Sequence, residues 1–155
     1  MLTYLWKFVH LLFAFSFVGA LTIAEWNGRA ARATEDWERR AALWGVVRGT
    51  MQMLGLGALV LLGILGNLLA VALGLPMGGP WMRVVNGLWL LGILVHLFVA
   101  LPAARRLVAA CGSATDATRG EGYAAALARW RLGNVLLSIF YVLMLALMVL
   151  RPLIP

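Results

Sequence analysis

Charge is scarce in this chain: 12% of its 155 residues are Asp, Glu, Lys or Arg. An ordinary soluble domain carries about 25%. Cysteine is nearly absent, with Cys111 alone, so neither an intramolecular disulfide framework nor a C-x-x-C motif can form. Acidic residues number six against thirteen basic ones, and none of the six lies in a long apolar run, which excludes a proton pump built on buried carboxylates. The sequence also lacks a glycine-rich phosphate loop, a zinc motif, and a nucleophile with a neighbouring acid–base pair. Histidine occurs twice, at His10 and His96.

What the chain has is apolar surface. Hydrophobic residues make up 63%, and the mean hydropathy is +0.92. Since about 20 apolar residues cross a hydrocarbon core, four runs qualify as spans: 2–24, 46–75, 84–101 and 132–150. The first is longer than the apolar region of a signal peptide, about 7–15 residues, and reads as a span. Each run meets a stop: Glu25-Trp26-Asn27-Gly28, Gly74-Leu75-Pro76, Pro102, and Arg151-Pro152. Residues 1–155 thus form one four-span domain, an all-α integral membrane antiparallel four-helix bundle.

The net charge of +7 is not a nucleic-acid signal, because the arginines flank the apolar spans. Arg29, Arg32, Arg39, Arg40 and Arg48 gather at loop 1 (25–45) and the mouth of span 2, and Arg105, Arg106, Arg119, Arg129 and Arg131 at loop 3 (103–131). Only Lys7, Arg83 and Arg151 lie on the other side. Ten against three places loops 1 and 3 in the cytoplasm and both termini outside, as in a multi-pass protein of a bacterial-type inner membrane. The lipid bilayer, with its anionic surface, is the expected partner. Thr34-Glu35-Asp36-Trp37 reads as a capped helix start inside loop 1, with Thr34 at the cap. Trp37, Trp44, Trp81, Trp89, Trp130 and Tyr4 read as interfacial anchors.

Few polar residues fall inside the spans. Lys7 and His10 share one helix face, and Lys7 can snorkel to the surface. His96 stands in the apolar run Gly92-Ile93-Leu94-Val95-His96-Leu97-Phe98. An embedded ionisable side chain marks a site by default, and imidazole is a common axial ligand of haem iron. At about 1.5 Å per residue the two histidines differ in depth by roughly 8 Å, which speaks against one haem gripped between them. Met144 on span 4 lies nearer the level of His10, and thioether is a known axial partner. Span 2 carries Gly45, Gly49, Gly55, Gly57, Gly63 and Gly66. Gly45-x-x-x-Gly49 has the form of a small-residue packing pattern, and the glycines together allow close helix contact or room for a flat macrocycle.

Trp6-Lys7-Phe8-Val9-His10 with Gly19, Glu38-Arg39-Arg40 leading to Arg48-Gly49-Thr50-Met51, Trp81 followed by His96, Arg131-Leu132-Gly133-Asn134, and Met148-Val149-Leu150-Arg151-Pro152 resemble the HemJ membrane protoporphyrinogen oxidases and the CopD-like four-span proteins around them. The chain departs from that pattern where Ala24-Glu25-Trp26-Asn27-Gly28-Arg29 has no histidine, where Val85-Asn86 replaces a lysine, and where Val135 replaces an acid. The resemblance implies haem b, with His10 and His96 as ligands, and propionates paired with Lys7 at the outer face or Arg48 at the inner. It implies electron transfer to or from a quinone or partner subunit, with protoporphyrinogen IX, a porphyrin-class substrate, as the enzymatic option. Copper handling follows only from the CopD likeness. A cofactor-free accessory subunit, packed in a homo-oligomer or larger membrane complex, is the contrasting reading.

The charge asymmetry generates a direct expectation. Reporter fusions at both termini should register outside the cytoplasm, and a C-terminal reporter active in the cytoplasm would overturn the orientation.

Overall fold

The computed structural model describes residues 2–112 and 116–150. Helix α1 (Leu2–Ala33) forms span 1. Helices α2 (Trp37–Thr50) and α3 (Leu56–Ala72), joined by a π-helical turn at Met51–Gly55, form span 2. Helices α4 (Pro80–Val95) and α5 (Leu101–Cys111), joined by a second π-helical turn at His96–Ala100, form span 3. Helix α6 (Asp116–Leu150) forms span 4. All elements among the described residues are helical, and four rods are long and apolar enough to cross a membrane. They run up and down in sequence order. The chain is an integral membrane four-helix bundle.

The rods outrun the expected spans. Loop 1 shrinks to a break at Thr34–Asp36, because α1 passes through Glu25-Trp26-Asn27-Gly28 without stopping. The cap of α2 is Asp36 rather than Thr34: its carboxylate accepts from the Glu38 and Arg39 amides at 2.9 and 3.4 Å. Arg40 satisfies the open end of α1 by donating to the carbonyls of Ala31 and Thr34, a cation on orphan carbonyls at a helix C-terminus. Much of loop 3 is likewise helix, in α5 and the first turns of α6, and Cys111 is buried at the end of α5. Pro102 does not end span 3. Lacking an N–H, it cannot serve the Phe98 carbonyl, and Arg129 donates to that oxygen instead at 2.9 Å. The turn between spans 2 and 3 is as expected, with Gly74 at φ +67° and Pro80 in the first turn of α4. The stop at Arg151-Pro152 lies outside the described residues.

Two tryptophans expected at the membrane interface are core residues. Trp44 and Trp130 are fully buried, stacked edge-to-face at 5.1 Å. Gly28 makes this possible: a Cβ there would stand 3.0 Å from the Trp130 ring. Tyr123 accepts from Trp44 Nε1 at 3.2 Å, and Arg40 lies 4.2 Å over the Trp37 ring. This aromatic cluster ties the Arg-rich end of the bundle together. Beside it Glu25 pairs with Arg29 at 2.8 Å and Arg32 at 3.4 Å, and accepts from Asn134 on span 4 at 3.2 Å. From Lys7 to Glu25 is eighteen residues of continuous helix, about 27 Å, close to the ~30 Å of a hydrocarbon core.

Gly45 and Gly49 face open space, so the expected packing pattern makes no helix contact within this chain. The working glycines are elsewhere. Gly133 lies against the Ala100 backbone, 3.0 Å from where its Cβ would stand, and a Cβ on Gly63 would overlap the Trp89 ring at 2.0 Å. Gly63→Ala should therefore cost about 3 kcal/mol through overpacking and a displaced indole. Gly57→Ala, into open space, should be neutral or stabilising by up to about 1 kcal/mol. Thermal unfolding of both variants in detergent checks the contrast, and equal melting temperatures would contradict it.

Candidate functional site

Span 2 presents one arrangement three times. In an α-helix the carbonyl of residue i lies beside the side chain of residue i+4, because each Cβ tilts toward the N-terminus. A glycine at i+4 uncovers that carbonyl, whose second lone pair can then accept from a neighbouring helix. Gly55 uncovers Met51, and His96 Nε2 lies 2.8 Å from the Met51 oxygen. Gly63 uncovers Leu59, and Trp89 Nε1 donates to the Leu59 oxygen at 2.8 Å. Gly66 uncovers Leu62, and the His10 ring seats on Gly66 beside that carbonyl. Cβ atoms on Gly55 and Gly66 would each come within 3.0 Å of an imidazole Cε1. In hydrocarbon such ring N–H groups have no water to turn to, and span 2 supplies their acceptors.

The two histidines then part company. Gly55 and Gly66 are eleven residues apart, about 16 Å along the helix, twice the separation expected from the sequence alone. His96 is fully buried. Its Nε2 faces a carbonyl, which can only accept, so the ring proton sits on that nitrogen. The Met51 oxygen also takes the Leu56 amide, closing the π-helical turn of span 2, and the His96 carbonyl takes the Leu101 amide, closing that of span 3. His96 thus joins the two π-helical turns. π-turns of this kind are frequent where a helix is adapted to a function.

His10 instead lines a cavity of about 390 Å³ bounded by all four spans, within the range of cofactor pockets, about 300–1,000 Å³. Met144 lines the same cavity, so the structure brings these two predicted residues together. The walls are otherwise mostly apolar, with Trp81, Trp89 and Tyr141 among them. His10 Nδ1, like the Nδ1 of His96, is buried with no hydrogen-bond partner among the described residues, but only the His10 ring borders the cavity. Lys7 is exposed one turn nearer the chain start, its ammonium 5.8 Å over the Tyr4 ring. Arg48 is exposed at the far end of span 2, eighteen residues from Gly66 and so about 27 Å away. His96, Lys7 and Arg48 do not line the cavity. Among the described residues no three His, Cys, Asp or Glu side chains gather as a metal-ion cluster.

Asn67 and Asn86 carry no site role in the sequence reading. In the structure they form the cavity's polar wall. Asn67 donates to Asn86 Oδ1 at 2.9 Å, Asn86 returns the bond to Asn67 Oδ1 at 3.1 Å, and Asn67 also donates to the Gly63 carbonyl at 2.9 Å. This leaves one Asn86 N–H and lone pairs on both amide oxygens for a ligand. The glycines under the imidazoles did carry a signal: Gly55 and Gly66 are eleven residues apart, three turns that place both on one helix face.

The chain belongs to the family described as Predicted integral membrane protein (DUF2269), whose profile matches residues 4–152. No curated protein and no solved structure matches it.

The reciprocal amide pair predicts a coupling between spans 2 and 3. In a double-mutant cycle, Asn67→Leu and Asn86→Leu should each destabilise, and the double variant should recover about 1 kcal/mol relative to their sum. Strict additivity would show that the pair does not act as a unit.

Proposed function

We propose that this protein binds haem b in the His10 cavity and serves electron transfer in the membrane. The observation that carries the reading is the meeting of an imidazole with an unpartnered, buried Nδ1 and the thioether of Met144 in one mostly apolar cavity. Imidazole and thioether are an established axial pair for haem iron, and Gly66 leaves the space in which the His10 ring sits. His10 and Met144 would hold the iron, and Lys7, one turn nearer the outer surface, would meet a propionate. When bound, haem b supplies one-electron redox chemistry.

This chain's own residues do the rest. The Leu62 carbonyl that Gly66 uncovers stands beside the His10 ring and would orient it, the kind of supporting contact that tunes a ligand's basicity. The apolar walls keep water away, and low solvent access is one of the levers on a redox potential. The Asn67–Asn86 pair ties spans 2 and 3 together beside the ligand. The position of His96, bonded to the Met51 carbonyl, favours a structural part for it over the second-ligand part that the HemJ resemblance implies. Arg48 is too distant to reach the same ligand. The resemblance supports the haem reading, and it makes a quinone or a porphyrinogen the natural redox partner. On the orientation that the charge asymmetry favours, the cavity lies in the outer half of the membrane.

The test is a visible spectrum of the purified protein before and after reduction. A Soret band with a reduced b-type signature is expected, lost in His10→Ala and retained in His96→Gln, which melts at a lower temperature. Wild-type protein that stays haem-free after expression with ample haem would sink the proposal, leaving the accessory-subunit reading.

A further inference from the structure

We infer that the His10 cavity is filled sideways from the hydrocarbon layer, through the seam between spans 1 and 4, by a tetrapyrrole dissolved in the bilayer; the identity of the occupant rests on the haem reading above. At the level of the cavity, three of the four helix seams are closed by specific contacts. His10 lies on Gly66 between spans 1 and 2. The amide pair joins spans 2 and 3. Trp81 Nε1 donates to the Leu147 carbonyl at 2.9 Å between spans 3 and 4. Spans 1 and 4 hardly touch. Of the contacts that join them, Glu25 with Asn134 lies at the Arg-rich end, and Phe17 with Tyr141, at 6.2 Å between rings, bounds the cavity on its Arg-rich side.

The residues along this seam are both walls and outer surface. Leu11, Phe15, Leu145 and Met148 line the cavity, yet they are 52, 69, 49 and 37% exposed. A side chain that lines a cavity and is also exposed stands at its mouth. Leu11 and Phe15 lie four and eight residues inward of Lys7 on α1, about 6 and 12 Å along the helix axis. That depth falls within the hydrocarbon layer, so the mouth meets acyl chains rather than water. Its four side chains are apolar, and an apolar rim admits a ring system that partitions into lipid while excluding ions. The polar groups that would recognise the ligand, His10 and the two asparagines, belong to spans 1, 2 and 3, and span 4 contributes the thioether.

The test uses the full chain in vesicles of phosphatidylcholine bearing a photoactivatable diazirine on the acyl chain, with adducts mapped by mass spectrometry. Adducts are expected on Met82 and Met144, which are buried and line the cavity, as well as on Val142, which is exposed. Phe15→Trp and Leu145→Trp, which enlarge the rim, should lower the Met82 and Met144 adducts severalfold and leave Val142 unchanged. Haemin added beforehand should suppress the cavity adducts as the plugged variants do. Labelling of Val142 without Met82 and Met144 in the wild type would overturn the lateral mouth. Cavity adducts that persist with haemin present would overturn the tetrapyrrole while leaving the mouth in place.

Discussion

A ring N–H inside a lipid bilayer needs an acceptor from the protein itself, and in this bundle the acceptors come from the backbone of span 2. Gly55, Gly63 and Gly66 each expose the carbonyl one turn earlier; His96 and Trp89 bond to theirs, and His10 lies beside the third. The bundle away from its Arg-rich end depends on this arrangement. It fixes how closely spans 1 and 3 approach span 2, it sets the level of each imidazole, and it leaves the cavity where span 4 stands away from span 1. A methyl group at Gly63 would push out the indole that closes the middle of the span 2–span 3 seam.

The same arrangement separates two residues that the sequence presents as a pair. His10 and His96 are the chain's two histidines, and a ligand pair is the natural first thought. The glycines beneath them are three helical turns apart. His96 is enclosed and bonded at the junction of two π-helical turns. Both rings keep an Nδ1 without a partner among the described residues, and of the two only His10 borders the cavity. One imidazole holds helices together; the other borders the cavity in which the proposed ligand would sit. Embedded histidine alone does not distinguish these roles, whereas the space beside each ring does.

The four-span membrane architecture was legible because hydropathy over about 20 residues is a strong one-dimensional signal. The ends of the rods were not. Helices run on past the bilayer when a capping residue such as Asp36 or an arginine such as Arg40 satisfies their termini, and hydropathy does not register that. Pro102 misled because its missing donor is compensated by Arg129, distant in sequence. Trp44 and Trp130 have the composition of interfacial anchors, and only their contact with Gly28 makes them core. Within the candidate site, His10 and Met144 were readable from depth along the spans. The partnership of Asn67 with Asn86 was not, because it depends on the facing of two helices.

The central claim is that the ligand site is built on His10 and Met144 and that His96 lies outside it. Near-infrared magnetic circular dichroism of the haem-loaded oxidised protein addresses it most directly, since the charge-transfer band there reports the axial ligands. The account predicts a histidine–thioether signature in the wild type that disappears in Met144→Leu and is unchanged in His96→Gln. A bis-histidine signature lost in His96→Gln would contradict it.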